Sequence, residues 1–140
     1  MEDFVSFEQA KALKELGFDW KVTAVYDSDR KLGCQLDTRV SIPKNFNCEH
    51  PFKESLFSAP SLYQAKKWLI NKFSLVVSSL PFVGDPNNDV LRWRYYVDKY
   101  NPYIIQEGSI ELYDTYENAL SAGIDRALKI LKEKNNEVGI

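Results

Sequence analysis

Ser61-Leu62-Tyr63-Gln64-Ala65-Lys66-Lys67-Trp68-Leu69-Ile70-Asn71-Lys72-Phe73-Ser74-Leu75-Val76-Val77-Ser78-Ser79-Leu80 changes character part-way along. Leu62, Ala65, Trp68 and Leu69 recur at helical spacing and continue towards Phe73, whereas Leu75–Leu80 is a short β-rich run. Ser61 and Gln64, directly after Pro60, form a capping box. The hydroxyl and the amide oxygen of such a box satisfy two N–H groups that the first helical turn would otherwise orphan. The stretch predicts a helix over 62–72 followed by a strand.

The same start signal occurs on either side. Ser6 and Gln9 precede Ala10, Leu13 and Leu16 at helical spacing, and Gly17 offers a left-handed stop, which predicts a helix over 7–16. Thr115-Tyr116-Glu117-Asn118 precedes the stripe Ala119, Leu120, Ile124, Ala127, Leu128 and Leu131, which predicts a helix over 116–134. Lys129, Lys132 and Lys134 complement the dipole at its end, and Asn135–Ile140 is expected to fray.

Between the helices the period falls to two. Trp20, Val22, Ala24 and Tyr26 alternate with Lys21 and Thr23, and the turn-rich Asp27–Arg30 leads into a return strand near 33–41, so the pair reads as a hairpin. Gly84–Asn88 is a turn cluster ahead of a second alternating run at 90–99, and Ile104–Tyr113 suggests a last strand interrupted at Gly108. The expected fold class is α+β. It would be an antiparallel sheet of four to five strands with three helices packed mainly on one face, in the order α-β-β-α-β-β(-β)-α. One domain over 1–140 is expected. The matching helix starts raise a weak duplication of helix-hairpin units 6–60 and 61–114, although good capping chemistry alone produces such matches.

Composition bounds the function. A chain of 140 residues with 44% hydrophobic, 27% charged and 14% aromatic content is that of a folded globular protein. Its net charge of −2 provides no overall field that would draw it to nucleic acid or to an anionic membrane. Acidic Glu2 and Asp3 follow Met1, and no apolar run approaches the ~18 residues of a spanning helix, so a cytoplasmic protein without membrane association is expected. Cys34 and Cys48 are too few for a disulfide framework and read as reduced thiols, with a bridge between them left open.

Phe4–Asp19, Ala59–Leu69 and Thr115–Leu131 together resemble, in order, segments of a group of small uncharacterised proteins from Bacteroidetes bacteria, their phages and mobile elements. The group carries no known activity, so the resemblance transfers no functional residue. It implies a bacterial or phage cytoplasmic setting and an accessory role.

Catalytic and cofactor motifs are not found in the sequence. Cys34, Cys48 and His50 are the zinc-type ligands, but only Cys48-Glu49-His50 is close and a fourth ligand is lacking, so no metal site is expected. His50 is the one imidazole and hence the one ordinary general base near neutral pH, yet no nucleophile motif surrounds a Ser or Cys. The isolated glycines suit turns and helix stops better than a phosphate loop, and no cofactor is expected. Leu91–Tyr100 is the most informative surface. Its alternation puts Arg92, Arg94 and Tyr96 on one face and Leu91, Trp93, Tyr95 and Val97 towards the core, with Lys99 counted among the binding residues. Such a face ordinarily serves cross-strand pairing and solubility; the alternative is stacking and phosphate contact with single-stranded nucleic acid. Pro43–Pro60 reads as an aperiodic loop whose Phe46, Phe52 and Phe57 either cover a sheet face or edge or form a docking surface. The leading expectation is a non-enzymatic module that binds another protein, with nucleic-acid binding as the alternative and a His50-dependent enzyme third. An exposed edge strand leaves a homodimer open.

Overall fold

The computed structural model describes residues 3–29, 32–34, 45, 47, 56–82, 91–99 and 104–138. The chain divides into two compact units, 1–68 and 69–140, and the division falls inside a helix.

In the first unit, helix α1 (Phe7–Glu15) starts at the Ser6/Gln9 box, both of whose hydrogen bonds are formed. Gly17 takes a φ of +92° beyond its end, the left-handed stop expected there. Strands β1 (Ala24–Tyr26) and β2 (Leu32–Cys34) form the antiparallel hairpin. The Asp27 carboxylate accepts from the Asp29 N–H at 2.9 Å, which bends the chain locally towards the return strand. A third strand, β3 (Phe57–Ser58), pairs with the other side of β1, giving the order β2-β1-β3. Phe57 is therefore a strand residue and not part of a free loop surface. Its ring meets Phe7 edge-on at 5.2 Å, and the Lys14 ammonium lies 4.7 Å above it while donating to the Leu56 carbonyl. Phe46 and Phe52 lie outside the described residues, as do Cys48 and His50. The core of this unit gathers Val5, Leu13, Phe18, Val22 and Ala24 with Trp68, whose ring meets Phe18 at 5.3 Å.

Helix α2 (Leu62–Phe73) begins at the Ser61/Gln64 box, again with both bonds made. Ser74, at φ 55°, turns the chain out of it. In the second unit, β4 (Val76–Phe82), β5 (Arg92–Lys99) and β6 (Ile105–Gly108) form an antiparallel meander, and α3 (Tyr116–Val138) lies against β4 and β5. The turn cluster expected at 84–88 lies outside the described residues. Val77, Val97, Ile124, Ala127 and Leu128 are buried in this unit. The helix comes close to the sheet at Gly123, where a Cβ would sit 2.7 Å from Val77 Cγ1 and 3.0 Å from Tyr95 Cβ.

The α+β class and the three helix positions agree with expectation. Instead of one sheet of four to five strands, however, the described residues form two antiparallel sheets of three strands each. Alternation reports that a segment is a strand but carries no information about which strand lies beside it. Among the described residues the element order is α-β-β-β-α-β-β-β-α, with β3 added to the expected series. Each sheet follows a helix, but one is ordered β2-β1-β3 and the other β4-β5-β6, so the resemblance of the helix starts does not extend to strand order. The α3 backbone continues to Val138, past the expected end at 134.

Arg126 of α3 reaches β6. Its Nε and Nη2 donate to the two oxygens of Glu107 at 2.7 and 3.0 Å, a bidentate pair. That hydrogen bonding, with the guanidinium charge behind it, holds the Glu107 carboxyl below its ordinary range against the opposing effect of burial. A folded-state pKa below the unfolded one means that the stabilisation is complete above the ordinary glutamate pKa and is lost as pH falls through the folded value. At neutral pH, Glu107→Gln is expected to lower stability by up to about 1 kcal/mol, because solvent screens a pair this exposed. Urea melts should show the gap between variant and native chain closing in acid, and a gap constant with pH would contradict the assignment.

Candidate functional site

Strand parity sorts β5 into two faces. Trp93, Tyr95 and Val97 point towards α3: the Trp93 ring meets Tyr116 at 5.5 Å, Tyr95 lies under Gly123, and Val97 is fully buried. Leu91, expected in the core with them, precedes the strand and is 56% exposed. Arg92, Arg94, Tyr96 and Asp98 occupy the opposite face, as expected of Arg92, Arg94 and Tyr96. Cross-strand register puts Phe82 beside Arg92, Leu80 beside Arg94, Ser78 beside Tyr96 and Val76 beside Asp98, all on this same face.

Lys99 does not share it. An odd-numbered residue on this strand has the parity of Val97, and Lys99 is 6% exposed with its ammonium donating to the Phe73 carbonyl at the end of α2. A cation there complements the carbonyl end of a helix, while burial lowers the lysine pKa. Lys99 is thus removed from the binding set by the same two-residue period that selects the other members. Arg92 forms an ion pair with Asp114, so part of its charge is compensated within the chain.

Arg94 is anchored from both its own strand and its neighbours. Its Nε donates to the Ser109 carbonyl at 2.8 Å. Its guanidinium carbon lies 5.4 Å from the Tyr96 ring centroid and 5.8 Å from that of Phe82. Gly108 on β6 leaves room for this arrangement: a Cβ there would come within 3.0 Å of Arg94 Nη2 and 3.1 Å of the Tyr96 ring. Around it, Leu80 is 51% and Phe82 37% exposed. The result is a Phe82–Arg94–Tyr96 cluster bordered by exposed apolar surface. Neither Phe82 nor Leu80 was singled out from the sequence, because the pairing that brings them beside Arg94 is set by register across strands.

Among the described residues, no three His, Cys, Asp or Glu side chains gather as metal ligands, and no helix is long and apolar enough to cross a membrane. No family model, curated protein or solved structure matches the chain.

Proposed function

We propose that the protein is a non-enzymatic, cytoplasmic accessory module of bacterial or phage origin that binds another protein through the exposed face of β4, β5 and β6. The observation that carries this reading is the Phe82–Arg94–Tyr96 cluster with Leu80 beside it. Arginine and tyrosine immobilised among apolar neighbours are the side chains that dominate binding energy at protein interfaces, because little rotamer entropy remains to be lost on association. Single-stranded nucleic acid is the weaker reading. With Arg92 paired to Asp114 and Lys99 buried, Arg94 is left as the main cation on that face for phosphate.

The test compares tagged native chain with Leu80→Lys and Arg94→Ala variants in affinity purification from native lysate. A stoichiometric protein retained through a moderate-salt wash by the native chain and lost from both variants is the expected result. Nuclease-sensitive 260 nm absorbance that disappears with salt would replace this reading with nucleic-acid binding. Sedimentation of the purified chain separates a foreign partner from a second copy.

A further inference from the structure

Beyond Gly108, the strand partner of β5 is interrupted by a bulge. The Ser109 N–H donates to the Tyr95 carbonyl at 3.0 Å, and Tyr113 rejoins β5 by exchanging two backbone bonds of 2.8 Å with Trp93. Arg94 alone therefore lies opposite Ile110, Glu111 and Leu112. The insertion preserves parity, so Tyr113 returns on the same face as Tyr95. Bulges of this kind re-aim side chains and are frequent beside functional sites.

This bulge is held in place. Ser109 is 3% exposed; its hydroxyl accepts from the Tyr95 N–H at 3.2 Å and donates to the Glu111 carbonyl at 2.8 Å, while Arg94 binds its carbonyl. A cleft of about 390 Å³ results, lined by Tyr95, Gly108, Ser109, Ile110, Glu111 and Tyr113. The two tyrosine rings form a wedge in it, with centroids 6.3 Å apart and planes at 39°. Ile110 stands at the rim 98% exposed.

We propose that this cleft binds an organic ammonium group, seated against the faces of Tyr95 and Tyr113 with the Glu111 carboxylate as counter-ion and Ile110 against its carbon substituents. Aromatic faces attract a cation through the ring quadrupole when it lies within about 6 Å of the centroids, and a weakly hydrated alkylated ammonium loses least on leaving water. The electrostatics agree. The Tyr113 phenol is raised above its ordinary pKa by burial first, which disfavours any charge, and then by the charge of Glu111, by Tyr95, by its hydrogen bond to Glu111 and by Asp125; of these, the carboxylates are the part of the surroundings that would attract a cation. The Arg126 guanidinium of α3, which Tyr95 influences weakly, is committed to both oxygens of Glu107. A single carboxylate with two phenols is a poor set for a metal ion, which takes several hard ligands, and a good one for a soft cation. The inference is independent of the opposite sheet face and stands if that reading fails.

The test is titration of the full chain, at constant ionic strength, with tetramethylammonium, with choline and with 3,3-dimethyl-1-butanol, the uncharged analogue of choline, while following the Tyr95, Glu111 and Tyr113 resonances. Saturable shifts are expected with both cations at roughly millimolar affinity, and none with the alcohol. Glu111→Gln, an exposed substitution that leaves the fold intact, is expected to weaken binding about tenfold. A short peptide carrying trimethyl-lysine distinguishes the source: tighter binding than choline assigns the site to a protein side chain, and equal binding assigns it to a free amine. Equal shifts with the alcohol, no saturable shift, or unchanged affinity in Glu111→Gln would each overturn the proposal.

Discussion

Replacing Asn47 by alanine is expected to destabilise the first unit by about 2–5 kcal/mol, far more than the loss of one exposed polar residue. Asn47 is 8% exposed and joins two distant parts of the backbone: its Nδ2 donates to the Phe18 carbonyl at 3.0 Å, and its Oδ1 accepts from the Ser58 N–H at 2.9 Å. Both Phe18 and Ser58 are buried, at 1% and 0% exposure. Truncation would thus leave a buried acceptor and a buried donor unsatisfied, each at about 1–3 kcal/mol. Leucine would not help, because the orphaned partners are main-chain groups that cannot be replaced along with it. Asn47→Asp retains an acceptor for Ser58 but sets an oxygen against the Phe18 carbonyl, so it too is expected to be strongly destabilising. Urea denaturation measures all three. Against a typical total of about 5–15 kcal/mol, a loss of this size would be visible as a large shift in midpoint, and a shift worth under about 0.5 kcal/mol for Asn47→Ala would mean that the amide is not the clasp described.

The same bonds explain where sequence reading stopped. Helix starts were legible because a capping box is complete within four residues, and Ser6/Gln9 and Ser61/Gln64 close as expected. Strand β4 was legible as a β-rich run and β5 because it is long enough to alternate. β3 was not, since Phe57 and Ser58 are too short a run to show a period and become a strand only by pairing with Tyr26 and Val25. Of the 43–60 stretch, Phe57 and Ser58 lie along β1, while Phe46 and Phe52 fall outside the described residues. Asn47 offered one faint signal, an amide in a stretch with several aromatic residues, but its partners are 29 and 11 residues away. Lys99 was a different case: the period that sorted Arg92, Arg94 and Tyr96 should have excluded it. On the second sheet, Arg94 and Tyr96 could be read from β5 alone, whereas Leu80, Phe82 and the bulge that pairs Tyr95 with Tyr113 depend on register between strands.

Gly123→Ala sets two opposed effects against each other. In an exposed helix interior, alanine would stabilise by about 1 kcal/mol over glycine. In α3 the added Cβ would meet Val77 Cγ1 at 2.7 Å and Tyr95 Cβ at 3.0 Å, and neither is the free end of a flexible chain: the first belongs to a β-branched residue and the second is fixed to its backbone. Relief requires α3 to move off β4 and β5, loosening contacts around buried Val77 and Ile124, and overpacking of this kind costs about 1–3 kcal/mol. The steric effect should win for alanine, leaving a net loss of about 1–2 kcal/mol, and Gly123→Val should lose more because its further methyl groups enter the same space. The diagnostic is a double-mutant cycle. Val77→Ala removes the nearer obstructing methyl, so combined with Gly123→Ala it should be less destabilising than the sum of the single changes by about 1 kcal/mol or more. Additive losses would locate the strain elsewhere, and a stabilised Gly123→Ala would show that helix propensity outweighs the close approach of α3 to the sheet. Because that approach positions Tyr95, a displaced helix should also alter the wedge that Tyr95 forms with Tyr113, and ammonium titration of folded Gly123→Ala should show weakened binding even though Gly123 does not line the cleft.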